Sequence, residues 1–412
     1  MIVANDMVFD SRVDRHAETL GASGHDVTVL CIQTLRTAPM EIRPRFKIVR
    51  KRDFLRKLFE HRMHAKAASK SGPNWADGSG RTSALRSFVR TLSQISLAVT
   101  FDAMMIHSAR QLNADIYICN DLYTLRVGAF MKVFGRRVIY DSHELYPDLA
   151  AGTPPCVRKL TRNIESFLIQ FADTVTTVNE FIASELSSRY GIPSPTVIMN
   201  CPRTPASLPE TRRRPAGRKV VLYSGTLWQE RGLENVVLAC RYLRKDVQVV
   251  FRGEGAIEAK LREMVRGLEN CVIEKPVPMA EVIPRAAEAD VGMVPYLPTT
   301  LNNLYASPNK LFEYLQAGIP VIGSDVPFIR KIIVGHDVGL VFDPSDPEDI
   351  AKAINLITQD EILEEKRANV KKIRSRFSWE IEAKKLLDAV SSLSYRSTAK
   401  RANVSDSLDR PP

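Results

Sequence analysis

The sequence predicts an α/β protein with two domains, each built around a doubly wound parallel sheet. Short apolar runs alternate with longer amphipathic stretches, which is typical of β-strands followed by crossover helices. A chain of 412 residues is too long for a single core, and 44% of its residues are hydrophobic. The two halves are separated at residues 204–218, which are rich in Pro, Arg and Thr and have no helical period.

These boundaries give an N-terminal domain over residues 1–203, a linker over 204–218 and a C-terminal domain over 219–376. Residues 396–412 are polar and end in two prolines, so we expect a disordered tail. The strand candidates begin at Met1, Val27, Ile116, Arg137, Thr174 and Thr196 in the first half, and at Val220, Val247, Val272, Val291 and Pro320 in the second.

The composition limits the class of protein and its compartment. A net charge of +11 indicates an anionic partner. The six cysteines form no C-x-x-C pair, and Cys31 and Cys119 lie in apolar runs, so buried thiols in the reducing cytoplasm fit best. The sequence has no apolar run long enough to span a membrane and no signal-peptide pattern at its start, so we expect a cytoplasmic protein.

The segment Ser307–Val321 predicts a phosphate site at the start of a helix. We expect Ser307 to cap the helix, Pro308 to take its first position and Gly318 to end it before a buried strand. Free N–H groups and the positive end of the helix dipole favour phosphate there, and Lys310 adds a full charge.

Glu313 lies one turn further along the predicted helix, on a face other than that of Leu311 and Leu315. From this position its carboxylate would accept two sugar hydroxyls of a nucleotide. The alternative is an ordinary capped helix in which Lys310 and Glu313 form a surface (i, i+3) pair.

Glycine turns in the second half are weaker candidates for ligand contact. Gly225 would let the backbone approach a ligand closely, and Arg231 would reach an anion with several donors. Arg252 is followed by glycines at 253 and 255, as in a short phosphate loop. Neither turn matches a full P-loop or dinucleotide fingerprint, and turn glycines near an Arg are common.

Ligands of doubly wound sheets bind beyond the carboxyl ends of the strands. In the first half these ends carry Asp6, Asn120, Asp121, His143 and Glu144. Polar residues from both halves predict a cleft between the domains. Taken singly, each residue also fits an ordinary strand-to-helix turn, which favours the same residue types.

Several motifs, taken in order, resemble those of the retaining glycosyltransferases of family 4. They are Asp10-Ser-Arg-Val, Tyr140–Pro147, Ser224-Gly-Thr-Leu with Arg231-Gly, Arg252–Gly255 and the Pro-Asn-Lys-x-x-Glu-Tyr helix from Pro308. The resemblance covers Met1 to about Leu393. It implies the GT-B architecture, in which two Rossmann-like domains face a central cleft, with a nucleotide-sugar donor on the C-terminal domain and the acceptor on the N-terminal one. It also implies that a helix over residues 377–395 crosses back to the first domain.

The resemblance assigns roles by position. Glu313 resembles the second Glu of the family's E-x7-E motif, which holds the donor ribose, whereas the first Glu falls at Tyr305 and is absent; Asn302 or Asn303 are the candidates to face the sugar. Arg231 stands where the family has a phosphate-binding Lys, and Thr226 stands where it has a partner Arg. The predicted donor site comprises Gly225, Thr226, Arg231, Arg252, Gly253, Gly255, Ser307, Asn309, Lys310, Leu311 and Glu313, and the predicted acceptor side comprises Asp6, Asn120, Asp121, His143 and Glu144.

The implied mechanism depends on charge. Cleavage of a sugar–diphosphate bond leaves extra negative charge on the diphosphate. No two aspartates have the Asp-x-Asp spacing that holds a metal, so we expect Arg231, Lys310 and the amides of residues 309–311 to stabilise this charge without metal or cofactor. His143 is the candidate to contact the transferring sugar or acceptor hydroxyl, the alternative being a His that caps a turn.

We therefore predict retaining, metal-independent transfer from a nucleotide sugar to a glycan or lipid-linked acceptor, as in polysaccharide or glycolipid biosynthesis. The basic segment over residues 41–72 carries apolar residues from Phe54 to Met63 at helical spacing. It predicts either an interfacial helix on an anionic membrane or a domain helix packed on the core. Two other functions compete: a sugar-nucleotide epimerase of the same architecture, and a nucleic-acid-binding protein supported only by charge.

Overall fold

The computed structural model describes residues 1–8, 10–34, 37–52, 100–208 and 217–408, with side chains up to residue 393. The basic segment from Phe54 to Met63 and the linker residues 209–216 lie outside this range. The chain forms two compact units that interleave along the sequence. The first comprises Met1–Ser142, Phe167–Val175 and Ser392–Pro412, and the second comprises His143–Ser166 and Thr176–Ser391. Among the described residues, no helix has the length and apolar character needed to cross a membrane.

The first unit opens with a small mixed sheet. Helix α1 (Ser11–Ala22) begins at Asp10, whose side chain accepts a hydrogen bond from the Val13 amide. Strands β1 (Thr28–Gln33), β2 (Met40–Ile42) and β3 (Lys47–Arg52) follow. Strand β3 lies in the middle, parallel to β1 and antiparallel to β2, and neither β2 nor β3 was among the strand candidates.

The rest of the first unit follows the predicted alternation of strand and helix. A helix described over residues 100–112 (α2) leads to β4 (Ile116–Asn120), α3 (Leu122–Val133) and β5 (Arg137–Ser142). Strands β4 and β5 are parallel, and Ile2 bridges both Leu30 of β1 and Cys119 of β4. The chain then enters α4 (Pro155–Leu168) and β6 (Thr174–Thr177), and the division into units falls within both elements.

The second unit contains a six-stranded parallel sheet. Its strands are β8 (Lys219–Ser224), β9 (Val247–Arg252), β10 (Cys271–Glu274), β11 (Val291–Val294), β12 (Val321–Ser324) and β13 (Gly339–Phe342), in the order β10-β9-β8-β11-β12-β13. The chain builds outward in one direction from β8 and then in the other from β11. The topological switch point, where open α/β sheets bind ligands, therefore lies between β8 and β11.

Helices cover both faces of this sheet. The helices of the second unit that follow α4 are α5 (Glu180–Tyr190), α6 (Leu233–Ala239), α7 (Glu258–Met264), α8 (Val282–Ala286), α9 (Leu301–Leu304), α10 (Asn309–Ala317), α11 (Pro327–Ile333), α12 (Pro347–Ile357), α13 (Asp360–Ile373) and the start of α14 (Trp379–Leu408). A short strand, β7 (Thr196–Val197), pairs with the end of β6. The parallel α/β class predicted from the sequence is confirmed.

The alternation of side chains along a strand explains the two cores of the second unit. Val220 and Leu222 of β8 point to the core that contains α10 and α11. Val221 and Tyr223 point to the opposite core, which contains α6 and α12. Because both faces are buried, the strands are nearly continuous apolar runs, as the sequence showed.

Helix α14 is anchored to the segment that follows β7. Trp379 is fully buried and its amide donates to the Pro202 carbonyl at 2.8 Å, while Glu382 accepts from the Met199 amide at 2.8 Å. The helix extends over residues 396–408, a range whose polar composition predicts disorder. The predicted return of this helix to the first domain stays a prediction.

Candidate active site

Helix α10 starts one residue later than predicted, at the carboxyl edge of the six-stranded sheet. Pro308 takes the N-cap position with an extended ψ of 131°, and no side chain caps the helix. Ser307 lies one residue too early to reach the first amides, so its prediction as a cap is wrong. Its buried Oγ has no hydrogen-bond partner among the described residues. Gly318 ends the helix at a φ of 78°, as predicted.

The predicted amide donors at this helix start are not equivalent. The Leu311 amide donates to the Pro308 carbonyl at 3.0 Å and is already used. Asn309 is exposed, and its Oδ1 accepts a hydrogen bond from Asn200 Nδ2 at 2.7 Å. No side chain caps the helix, and the positive end of a helix dipole favours negative charge.

Lys310 is buried under two aromatic rings. Its Nζ lies 4.9 Å from the ring centroid of Tyr223 and 5.5 Å from that of Tyr296. A Cβ placed on Gly225 would lie 3.3 Å from the same Nζ, so the turn after β8 and the start of α10 meet here. The alternative in which Lys310 forms a surface pair is wrong, because only 9% of the residue is exposed.

Arg231 brings a second cation to the same place. Its guanidinium carbon lies 4.0 Å from the ring centroid of Tyr296, which follows β11. The pKa of Lys310 is lowered to about 7, first by burial and then by the charge of Arg231, while Glu313 acts in the opposite direction. Two cations and one carboxylate thus surround Tyr296 at the switch point.

The glycine turns are explained by packing. The Gly225 amide donates to the Arg252 carbonyl at 2.9 Å, and the Gly253 amide donates to the Glu274 carbonyl at 3.1 Å. A Cβ on Gly253 would lie 1.9 Å from the Gly225 carbonyl oxygen, and one on Gly255 would lie 2.3 Å from that of Leu227. The amides of Gly225 and Gly253 are therefore used within the protein rather than presented to phosphate.

Two further residues of the predicted donor site have partners within the protein. Arg252 donates from Nε to Glu274 Oε2 at 2.9 Å and from a terminal nitrogen to the Arg285 carbonyl at 3.1 Å. The side chain of Thr226 is exposed, and its carbonyl accepts from the Tyr223 hydroxyl at 2.6 Å. Arg252 is held by these partners, whereas Lys310 and Arg231 both lie against the ring of Tyr296.

The residues expected near the absent first Glu have contacts within the protein. The Tyr305 ring stacks on Phe181 with centroids 5.7 Å apart. The Asn302 Oδ1 accepts from the Leu145 amide at 2.8 Å, and the Asn303 Nδ2 donates to Glu230 Oε2 at 3.0 Å. Both asparagines are buried.

His143 and Glu144 belong to the second unit, whereas Asp6, Asn120 and Asp121 belong to the first. His143 is half-buried and Glu144 is exposed. The next residue, Leu145, is fixed because its amide donates to Asn302 Oδ1. Burial raises the pKa of Tyr296, Arg231 acts against this rise, and the charges of Glu144 and Glu313 add to it. The charges of Glu144 and Arg231 therefore act on the same tyrosine.

The remaining candidates of the first unit lie at the ends of its strands. The Asp6 carboxylate accepts from the Val8 amide and the Thr34 hydroxyl, each at 3.2 Å. Asn120 is buried and donates to the Ile2 carbonyl at 3.1 Å, and Asp121 has a positive φ of 71°.

A buried ion pair in the first unit was not predicted. Arg12 donates to Asp141 through Nε at 3.0 Å and a terminal nitrogen at 2.8 Å, and both residues are buried. His16 lies beside them, with its Nδ1 at 3.8 Å from Asp141 Oδ2. Asp141 therefore serves the fold, although it stands in the same motif as His143.

The sequence pattern also assigns no role to three tyrosines of the site. Tyr223 and Tyr296 form the walls around Lys310, and Tyr314 of α10 accepts a hydrogen bond from the Ser224 amide at 2.8 Å. Tyr223 is the last apolar residue of β8, and Tyr296 lies two residues after β11, so aromatic residues near strand ends were the available signal. No group of three or more His, Cys, Asp or Glu side chains in the described ranges is arranged to hold a metal ion.

Two family models match this chain, one on each side of the predicted linker. Residues 10–202 match the glycosyl transferase 4-like domain, and residues 218–360 match the glycosyl transferases group 1. Together with the fold, these matches place the chain among the GT-B glycosyltransferases. They do not favour the epimerase or the nucleic-acid-binding alternative.

Curated relatives are distant in sequence. A glycogen synthase from Mycobacterium tuberculosis is 24% identical over 53% of this chain and 54% of its own length. An amylovoran biosynthesis glycosyltransferase from Erwinia amylovora is 26% identical over 34% of this chain and 36% of its own. The chain thus matches about half the length of the first relative and less of the second.

Solved structures share the fold over most of the chain. A sucrose-phosphate synthase from Thermosynechococcus elongatus has a TM-score of 0.71 and 17% identity, with 93% of each chain covered. An Anabaena protein in complex with UDP-glucose has a TM-score of 0.58 and 16% identity, with 70% of this chain and 82% of that chain covered. At these identities the likeness concerns the fold alone, and it confirms the predicted GT-B class with Rossmann-like domains.

Proposed function

We propose that this protein transfers a sugar, with retention of configuration and without a metal, from a nucleoside diphosphate sugar to a glycan or lipid-linked acceptor. The observation that carries the proposal is the pair of cations on Tyr296 beside the uncapped start of α10. Arg231 and Lys310 lie 4.0 and 5.5 Å from the centroid of that ring. The pair lies at the switch point of the sheet, where such folds bind their ligands.

The leaving diphosphate explains the two cations. As the sugar–phosphate bond breaks, the diphosphate gains negative charge, and fixed positive groups stabilise it more than they stabilise the bound substrate. Tyr223 and Tyr296 exclude water around Lys310, which strengthens the electrostatic interaction. A diphosphate held by Arg231, Lys310 and the helix start needs no further cation. Metal independence rests on this charge and on the absence of an Asp-x-Asp pair in the sequence.

The donor ribose is assigned to Glu313 and the sugar to the His143–Glu144 segment. Glu313 lies within the same helix as Lys310 and acts on its pKa, so a nucleotide whose phosphates contact Lys310 has its ribose within reach. Glu144 acts on the pKa of Tyr296, which supports a place for this segment beside the transferred sugar. Retention is proposed from the resemblance to family 4.

The acceptor class is proposed from the relatives. One match is named for amylovoran biosynthesis and another is a glycogen synthase, so both act on glycans. A glycan or a lipid-linked glycan is accordingly the proposed acceptor here.

A ligand screen followed by a product assay tests the proposal. UDP, GDP, ADP and their sugars are added separately, and thermal unfolding is measured, because a ligand at about 100 times its Kd stabilises by about 2.7 kcal/mol. One nucleotide series should raise the Tm, and Lys310→Met should abolish the increase. Transfer to a glycan or lipid-linked acceptor is then followed with and without EDTA, and the anomeric configuration of the product is read by NMR. No response to any nucleotide would contradict the assignment of this site.

A further inference from the structure

Helix α4 presents an apolar stripe to the outside of the molecule. Val157, Leu160, Ile164 and Phe167 are 47%, 59%, 38% and 66% exposed. Their spacing of three, four and three residues places them on one side of the helix. An amphipathic helix of a soluble protein normally turns such a face toward the core.

The opposite side of α4 is anchored by a polar contact. Glu165 is fully buried, and its carboxylate accepts a hydrogen bond from the Tyr190 hydroxyl at 2.7 Å. A charged side chain is rarely buried unless it has a partner, and this contact fixes which side of the helix faces inward. The outward position of the apolar stripe is thus a consequence of how the helix is held.

The apolar surface continues beyond the end of α4. The Phe167 ring lies 5.3 Å from that of Phe171, and the turn that contains Phe171 packs against α3. Apolar side chains exposed together in this way mark an interaction site.

The charges around the stripe indicate which partner covers it. Lys159 and Arg162 are exposed on the same helix, and Arg158 lies 3.7 Å from Asp148. At the spacing of an α-helix these basic residues lie on the polar sides of α4, away from the apolar stripe, and its single acid, Glu165, is buried. This is the pattern of helices that lie in the interface of an anionic bilayer, and the net charge of +11 acts in the same direction.

We propose that the α4 stripe, comprising Val157, Leu160, Ile164 and Phe167, docks this protein on an anionic lipid bilayer. The helix lies parallel to the membrane surface, with the apolar side chains of the stripe among the acyl chains and Lys159, on the flank of the stripe, near the headgroups. The proposal differs from the interfacial helix predicted at residues 54–63 and does not depend on the donor chemistry.

Vesicle co-sedimentation of the full chain tests this directly. Vesicles of phosphatidylcholine alone are compared with vesicles containing about 30% phosphatidylglycerol, at about 0.05 M salt, where screening is weak. The wild-type protein should sediment with the anionic vesicles and much less with the neutral ones. The double variant Leu160→Ser with Phe167→Ser should lower the partition coefficient by at least about tenfold.

Two controls separate docking from general stickiness. Tyr242 and Met279 are 55% and 53% exposed elsewhere on the protein. The double variant Tyr242→Ser with Met279→Ser should sediment like the wild type. Thermal unfolding should be unchanged in both double variants, since all four side chains are exposed. Lys159→Gln with Arg162→Gln should weaken binding to anionic vesicles and reduce its dependence on salt.

Specific outcomes would overturn the proposal. One is a wild-type protein that stays in the supernatant at low salt, and another is a stripe variant that sediments as well as the wild type. Gel filtration tests the remaining alternative, in which a second copy of the chain covers the stripe. If the wild type is a dimer without vesicle binding, and the stripe variant is a monomer, the stripe joins two copies of the chain and the membrane proposal fails.

Discussion

Arg231 and Lys310 share the ring of Tyr296, with the guanidinium carbon 4.0 Å and the ammonium nitrogen 5.5 Å from its centroid. The aromatic face attracts both cations, but the cations repel each other. Burial and this repulsion together lower the pKa of Lys310 to about 7, against the effect of Glu313. A bound diphosphate would offset the repulsion, so ligand binding and the protonation of Lys310 are coupled.

We predict that diphosphate binding takes up a proton above neutral pH. An anion beside Lys310 favours its charged form and raises its pKa from the ligand-free value of about 7. At a pH between the two pKa values the ligand-free lysine is mostly neutral and the liganded one is charged. Affinity should therefore fall as pH rises above 7, by up to about tenfold per pH unit. Calorimetry of the tightest nucleoside diphosphate at pH 8, in buffers of different ionisation enthalpy, measures the uptake.

The variant Lys310→Met should bind more weakly and take up no proton at this position. If the variant takes up as many protons on binding as the wild type, or if the wild type takes up none, the charge of Lys310 does not change when the diphosphate binds.

Replacing Glu313 by Ala should weaken donor binding by about 1–3 kcal/mol, because charged hydrogen bonds to the ribose are lost. Glu313 is only half-buried, so the fold should tolerate the change. Glu313→Gln, which keeps one acceptor, should lose less. Titration of the donor sugar and of the deoxyribose analogue distinguishes the causes. If the wild type and the variant have the same ratio of affinities for the donor and for its deoxyribose analogue, Glu313 does not hold the ribose.

Arg231→Ala should lower kcat more than it raises the donor KM, since the charge that Arg231 stabilises grows in the transition state. An effect of about 3 kcal/mol on the barrier is typical for loss of one such group. Arg262→Ala is the matched control, because Arg262 is exposed and pairs with Glu258 on the same helix. Steady-state kinetics of both variants, with and without EDTA, provide the comparison. Activity that EDTA abolishes and magnesium restores would contradict the metal-free assignment.

Asp141→Asn should destabilise the protein by about 3–5 kcal/mol, because it leaves Arg12 buried without its charged partner. The double variant Arg12→Met with Asp141→Leu should recover much of this loss, since an apolar pair leaves no charge unpaired. Urea unfolding of the wild type, the single variant and the double variant measures the coupling. A stable Asp141→Asn variant with lost activity would instead place Asp141 in the chemistry.

The sequence predicts the second unit better than the first because its buried strands are continuous apolar runs. Strand β3 has the sequence Lys-Ile-Val-Arg-Lys-Arg and does not look like a core strand. Arg50 is nevertheless buried within it, because Glu41 accepts its hydrogen bond at 2.7 Å and the Ala38 carbonyl accepts another. The pattern of polar and apolar residues within β3 does not show that Arg50 has a partner nine residues earlier in the chain.

The candidate site shows the same limit. The sequence identifies Arg231, Lys310 and Glu313 because their residue types suit a diphosphate and a ribose. It does not reveal that Arg252 pairs with Glu274 instead, since that pair depends on the parallel register of β9 and β10. It also places the helix cap at Ser307, because the pattern cannot show that Pro308 keeps an extended ψ.

The interleaved course of the chain affects how it folds during synthesis. The first unit includes a stretch that begins at Ser392, whereas its initial stretch ends at Ser142. Ribosomes add about 5–20 residues per second, so the initial stretch waits on the order of ten to fifty seconds for its last part. For that time it is an incomplete unit with exposed apolar surface, and it becomes complete only after the whole second unit has left the ribosome.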